Sequence, residues 1–154
     1  MKILFLVYHG FSEVSGISKK IRYQVKGLRE NGYDVHLCYY GFDDKGNRCR
    51  YVDRFQPSAT VLLKDYGTGM LAGLRQRVGF DCVYDYCRDN GIQMVYARCF
   101  MNANPFLNRF YHRLKQAGIK AVMEIPTYPY DQEFEGFSRT ERLQLRIDQL
   151  FRHG

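Results

Sequence analysis

The sequence predicts an α/β protein built on a Rossmann-like, doubly wound, mainly parallel sheet with helices on both faces. Two observations carry this expectation. In residues 1–40 an apolar run, Lys2-Ile3-Leu4-Phe5-Leu6-Val7-Tyr8, breaks at His9-Gly10, passes through Ser15-Gly16-Ile17-Ser18, continues as an amphipathic helix to Asn31-Gly32, and restarts as the strand Tyr33–Tyr40. That is a βαβ opening, and the end of its helix is able to hold an anionic phosphate. The second observation is a rhythm: at Gly32, Gly91 and Gly118 a glycine closes a helix and a near-continuous apolar strand begins at once. Repetition of that unit builds a parallel sheet with helices between its strands.

Taken in order, the first strand spans residues 3–8. In the helix that follows, Ile17, Ile21, Val25 and Leu28 share one face at about 100° per residue, which leaves Lys19, Arg22, Lys26 and Arg29 on the other. The second strand covers 34–39, and Asp43-Asp44-Lys45-Gly46-Asn47 reads as a hairpin tip or loop. A short strand near Ala59–Leu63 precedes a helical stretch with Leu71, Leu74, Val78 and Cys82 as its stripe. Gly73 and Gly79 weaken that stretch and allow a split into two helices. Strand 92–97 ends at Arg98, and Asn104-Pro105 offers an N-cap with proline at the first helical position. Leu107, Phe110, Tyr111 and Leu114 face the core from this helix, and strand 120–125 follows its closing glycine. Ser138-Arg139-Thr140-Glu141 matches a capping box, with Leu143, Ile147, Leu150 and Phe151 as the stripe of a last helix.

The 154 residues amount to one domain with enough chain to bury a core. Apolar content and scattered charge exclude disorder, and no apolar run approaches the roughly 18 residues of a spanning helix. Met1-Lys2-Ile3 enters a strand directly, without basic leader or cleavage site, so a cytoplasmic location is expected. A sheet that ends on an amphipathic helix with no further strand reads as residues 1–154 of a longer polypeptide. Five cysteines, Cys38, Cys49, Cys82, Cys87 and Cys99, show neither zinc nor disulfide spacing and read as small hydrophobes, and no metal site is expected.

The net charge of +7 favours acidic partners: nucleic acid, anionic lipid headgroups or phosphorylated substrates. No nucleic-acid-binding motif is recognisable, so nucleic acid is set aside. The basic face of the first helix is either a solvated surface or a patch for the membrane. A dinucleotide site would need G-x-G-x-x-G in the first turn and an acidic residue ending the second strand. Gly10 and Gly16 do not make that pattern and the second strand ends Tyr39-Tyr40-Gly41, which argues against NAD chemistry and leaves no cofactor expected. Of four histidines only His9 lies at the carboxyl end of the first strand, the edge where open α/β sheets bind ligands. It is a candidate acceptor contact or a loop residue.

The Ser15–Ser18 loop, the helix end Leu28–Gly32, the strand end Val95-Tyr96-Ala97-Arg98 and the run Met123–Tyr130, in this order and spacing, resemble the N-terminal domain of GT-B type retaining glycosyltransferases of family four, the bacterial capsule and exopolysaccharide type. The resemblance implies transfer of a sugar from a nucleotide-sugar donor to a saccharide or lipid-linked acceptor, with retained configuration and without a metal. It also implies that the N-terminal domain binds acceptor while a second domain holds most of the nucleotide. By this likeness Ser15, Gly16 and Ile17 contact the donor diphosphate, although Ser15 stands where relatives often have a first glycine. Glu124 occupies the strand end where relatives frequently place histidine, and as a carboxylate it is a candidate to hydrogen-bond sugar hydroxyls or support developing positive charge, or simply to pair with Arg98. Arg98, Tyr128 and Tyr130 are candidate acceptor contacts. Tyr128, Tyr130 and Phe134, interleaved with Pro126 and Pro129, form either an aromatic platform for a sugar or packing against the last helix. Glu133 and Glu141 repeat the spacing of this family's paired glutamates by coincidence, since that motif belongs to the donor half. The competing class is a non-catalytic α/β module that binds an anionic or phosphorylated partner.

Overall fold

A computed structural model describes residues 1–10, 15–55, 57–98, 103–124 and 138–151. Six strands form one sheet: β1 (Lys2–Gly10), β2 (Asp34–Phe42), β3 (Arg48–Phe55), β4 (Ser58–Asp65), β5 (Met94–Arg98) and β6 (Lys120–Glu124). The helices are α1 (Gly16–Glu30), α2 (Gly69–Val78), α3 (Asp81–Asp89), α4 (Pro105–Gln116) and α5 (Arg139–Phe151). Strand order is β4-β3-β2-β1-β5-β6. β2, β1, β5 and β6 run parallel, as their apolar sequences predict, while β3 and β4 are antiparallel, so the sheet is mixed. The hairpin is the correction to a purely βα-repeating sheet: Asp43–Asn47 is its tip, and Arg48–Phe55 is a strand that the sequence reading left unassigned. In the tip the Asp43 carboxylate accepts from the backbone N–H groups of Lys45 and Asn47, which closes the turn.

The closing glycines work by one device. After α1 the Tyr33 N–H donates to Leu28 O and the Gly32 N–H to Arg29 O, a Schellman motif that needs the left-handed backbone of Gly32, φ 81°. The same pair of bonds recurs after α3, from Ile92 to Cys87 and Gly91 to Arg88, and after α4, from Ile119 to Leu114 and Gly118 to Lys115. Each motif ends the helix and turns the chain directly into the next strand.

Side chains alternate along β1, as a strand's period of two requires. Leu4 and Leu6 pack with Val83, Cys87, Leu107, Phe110 and Leu114 of α3 and α4, whereas Ile3, Phe5 and Val7 pack with Ile21 and Val25 of α1. Both faces of the central strands are therefore covered, each fully buried side chain contributing about 1.5–3 kcal/mol. Asn104 caps α4 by accepting from the N–H groups of Phe106 and Leu107.

Three apolar stripes are drawn differently in the structure. In α1 Ser18 is buried in place of Ile17, which is 53% exposed, because the face meeting the sheet follows the spacing 18, 21, 25, 28. Arg29 likewise leaves the outer face: its guanidinium donates to Val35 O at 2.8 and 3.2 Å and lies 4.4 Å from the centre of the Phe55 ring. The helical run 69–89 does split at Gly79, but Leu71 and Leu74 are exposed while Ala72 and Gln76 are buried. In α5 Leu143, Ile147 and Leu150 are exposed and Leu145 is buried. Among the described residues no helix is long and apolar enough to cross a membrane.

Candidate functional site

The carboxyl ends of β1, β5 and β6 and the amino end of α1 meet at one edge of the sheet. Ser15 is the N-cap of α1, in extended backbone conformation, and its Oγ accepts from the Ser18 N–H at 3.4 Å while its carbonyl accepts from Lys19. The N–H groups of Gly16 and Ile17 belong to the first turn and have no acceptor within the helix. A Cβ built on Gly16 meets nothing within 4 Å among the described residues, so packing does not require glycine there. Ile17 turns its side chain to solvent.

One helical turn after Gly16, the Lys20 ammonium reaches Glu124 Oε1 at 3.6 Å. Arg98 and Glu124 are register partners across β5 and β6, and Arg98 Nη1 lies 3.6 Å from the same oxygen. The Tyr96 hydroxyl donates to Glu124 Oε2 at 3.0 Å. Burial and the adjacent Glu124 push the Tyr96 phenol up from its ordinary range, so it remains a donor. The Arg98 and Glu124 side chains are only 10% and 18% exposed. The structure thus brings Glu124 and Arg98 together beside the start of α1, and adds Tyr96 and Lys20, which sequence reasoning missed. Among the described residues two cations surround one carboxylate here, beside the positive end of the α1 dipole.

His9 is in the last part of β1, and its side chain lies outside the described residues, as do Tyr128, Tyr130, Phe134, Glu133 and Cys99. Near the hairpin tip, the ligand atoms of Asp43, Cys49 and Asp65 come within 4.8 Å of one another, but both carboxylates already accept hydrogen bonds from the turn and from Gly67. On the α1 side a cavity of about 670 Å³ has Arg22, Lys26, Arg29, Glu30, Asp53 and Phe55 in its lining, joining cations, carboxylates and apolar surface. Lys26 is also paired with Glu30.

A second polar centre lies on the α2 side. Arg50 of β3 is fully buried. Its Nη2 donates to the Tyr40 hydroxyl at 2.6 Å and to the carbonyl of Gln76 at 3.1 Å, and its guanidinium stacks 4.5 Å from the Tyr40 ring. The Tyr40 hydroxyl in turn donates to Gln76 O at 2.8 Å. Gln76 lies in the last turn of α2, where carbonyls lack helical partners, so Arg50 and Tyr40 cap that helix end.

No family model matches the chain, and no curated protein does. Among solved structures, the catalytic core domain of BIV integrase superposes with a TM-score of 0.37 and 10% sequence identity, covering 73% of this chain and 78% of that one. That likeness is too slight to bear on fold or function.

Proposed function

We propose that residues 1–154 form the acceptor-side half of a GT-B type retaining glycosyltransferase, with the sheet as its Rossmann-like, doubly wound domain. In this reading the chain helps to move a sugar from a nucleotide-sugar donor to a saccharide or lipid-linked acceptor in polysaccharide biosynthesis. The enzyme works in the cytoplasm or peripherally at the inner face of the membrane, and a second domain supplies most of the nucleotide site. The observation that supports the reading best is the meeting of the α1 amino end with the Lys20–Arg98–Glu124 group at the carboxyl edge of the parallel strands. Helix N–H groups and cations suit a diphosphate, and the edge is where such sheets bind ligands.

The roles follow from the chemistry of each group. Gly16 and Ile17 present N–H donors to the departing diphosphate, and the absence of a side chain at Gly16 lets the phosphate oxygens approach closely. Glu124, its position fixed by Tyr96, Lys20 and Arg98, supports positive charge that develops on the sugar ring as the donor bond breaks. Arg98 and His9 are assigned to the acceptor, with Tyr128 and Tyr130 as its aromatic contacts. The test is sugar transfer by a polypeptide joining this chain to its donor half, assayed over a panel of nucleotide sugars and acceptors. Transfer is expected from that polypeptide and none from residues 1–154 alone. Robust transfer by residues 1–154, or none by the folded two-domain polypeptide, removes the reading.

A further inference from the structure

At the amino edge of the sheet, side chains from β2, β3 and α3 meet around one buried imidazole. His36 of β2 is 3% exposed, with its Nδ1 2.8 Å from the Tyr86 hydroxyl of α3 and its Nε2 3.2 Å from Asp34 Oδ1. Arg54 of β3 completes the group. Its Nε donates to the Tyr86 hydroxyl at 3.0 Å, its Nη2 donates to Asn90 Oδ1 at 2.9 Å, and its guanidinium lies 5.5 Å from the centre of the Tyr86 ring. The Tyr86 oxygen therefore joins His36 to Arg54. This junction falls where backbone pairing stops: the β2–β3 ladder ends at Leu37 and Asp53, whereas β3 and β4 stay paired as far as Phe55 and Ser58. Past the ladder, the side-chain ties described for the turn end of β3 and β4 are Arg54 on Tyr86 and Asn90, and Phe55 beneath the Arg29 guanidinium on the opposite face.

Protonation of the imidazole sets these contacts against one another. A neutral ring offers one donor and one acceptor nitrogen, whereas the charged ring offers two donors. The Tyr86 oxygen must then accept from Nδ1 as well as from Arg54 Nε, so two cations converge on one oxygen. Among the described residues the groups around the ring come from every element packed against it. Asp34 of β2 favours the charged ring, while Arg54 of β3 and Lys2 of β1 oppose it, and Tyr86 of α3 stays a phenol whose pKa burial raises. Lys2 is held in place by its Nζ, which donates to the Asn90 carbonyl at 3.3 Å. Burial is the largest influence and takes His36 below its ordinary 6.5. Of these groups Arg54 is the one free to withdraw, because Asp34 shares a strand with His36 and Tyr86 is buried within α3, but Arg54 stands beyond the β2–β3 ladder.

We propose that His36 is a proton-operated latch on the turn end of β3 and β4. Neutral His36 shares Tyr86 with Arg54 and that end stays docked on α3; charged His36 expels Arg54, and the end lifts while the parallel strands keep their places. The latch does not depend on the transferase reading, since it is measured on this chain with neither donor nor acceptor present.

The experiment follows the full chain by NMR from about pH 7.5 to about pH 5, recording the His36 ring, the Arg54 Nε–H and the nuclear Overhauser contacts between Arg54 and Tyr86. The Arg54 signals are expected to shift, and its contacts with Tyr86 to be lost, with the same midpoint as the His36 ring and below 6.5. Contacts between Leu4 and Val95, partners across β1 and β5, persist through that midpoint. His36→Leu is expected to leave the Arg54 signals flat with pH. Asp34→Asn removes the carboxylate that favours the charged ring, so the His36 and Arg54 midpoints should move together to lower pH; this variant carries the test if His36→Leu fails to fold. Arg54 signals that stay constant while His36 titrates, or that keep their midpoint in Asp34→Asn, overturn the latch. Loss of the Leu4–Val95 contacts at the same pH, or an imidazole that takes up no proton in this range, overturns it as well.

Discussion

Glu124 stands between two roles, a cleft carboxylate that meets substrate and a structural partner for Arg98, and Glu124→Ala separates them. The substitution leaves the Arg98 guanidinium, 10% exposed, without its anion and the Tyr96 hydroxyl without its acceptor. Removing one member of a buried ion pair costs about 3–5 kcal/mol. The Arg98 and Lys20 contacts here are both 3.6 Å, beyond a good hydrogen bond, and Lys20 is exposed enough that its pair contributes little. The low end applies, and we expect a loss of about 3 kcal/mol for Glu124→Ala. Glu124→Gln retains an acceptor for Tyr96 and loses only the charge, for about 1–2 kcal/mol. Urea unfolding of the three chains at neutral pH measures this as a shift in midpoint at unchanged slope, about 1–2 M for the alanine variant. A double-mutant cycle with Arg98→Met isolates the pair. If Glu124→Ala unfolds within about 0.5 kcal/mol of the parent, the pairing argument is wrong and the carboxylate is held for something else. On the proposed transferase reading, a Glu124→Gln two-domain polypeptide that folds normally but loses transfer identifies the cleft role.

Gly16→Val places its Cβ in open space, so stability is expected to change by no more than about 0.5 kcal/mol. Transfer by the two-domain polypeptide should nonetheless fall at least about tenfold, equivalent to about 1.4 kcal/mol; full activity, or unfolding, ends the donor-phosphate assignment. His36 is enclosed by polar partners: its Nδ1 lies 2.8 Å from the Tyr86 hydroxyl, which accepts from Arg54 Nε, and its Nε2 lies 3.2 Å from Asp34 Oδ1. Burial lowers its pKa below the ordinary 6.5 despite Asp34, so the unfolded chain takes up a proton that the folded chain refuses. The stabilisation is complete above pH 6.5 and is lost as pH falls through the folded value; urea midpoints that decline in this range for the parent but not for His36→Leu are expected, and parallel curves refute the assignment. Asn104→Ala removes the acceptor of two first-turn N–H groups in α4 and should cost about 1 kcal/mol by the same unfolding measurement, with no loss showing that the cap is redundant.

The parallel core was legible because its signals are local and agree. Before β2, β5 and β6 stands a glycine in left-handed backbone, so these strand starts are marked twice, by hydrophobicity and by the cap. β3 escaped for the opposite reason: Arg48-Cys49-Arg50-Tyr51-Val52-Asp53-Arg54-Phe55 carries four charges in eight residues and looks like a loop, although its tip at Asp43–Asn47 was visible. In α2, Leu71 and Leu74 suggested a face, but Ala72 and Gln76 are the buried residues, and Gln76 meets β3 with its carbonyl accepting from Arg50 and its Nε2 donating to Cys49 O. At the candidate site the Ser15 cap and the strand-end positions of Arg98 and Glu124 were readable, since both depend on neighbours in sequence. Tyr96 and Lys20 were not, because joining them to Glu124 needs the β5–β6 register and the docking angle of α1.

The arginine centre shows where composition stops informing. Net charge says that cations are present, yet surface lysines and a buried guanidinium contribute to it equally. What distinguishes Arg50 is the hairpin register, which sets it opposite Tyr40 and points it at the last turn of α2. An apolar residue there would pack between Tyr40 and Phe80 without the desolvation that a buried cation entails. Capping α2 returns only part of that cost, because a helix end carries about half a charge. If that cap is all that offsets the buried guanidinium, apolar packing in its place is the more stable arrangement. Arg50→Met would then raise the stability of the chain, as replacement of buried charges by packed apolar groups often does.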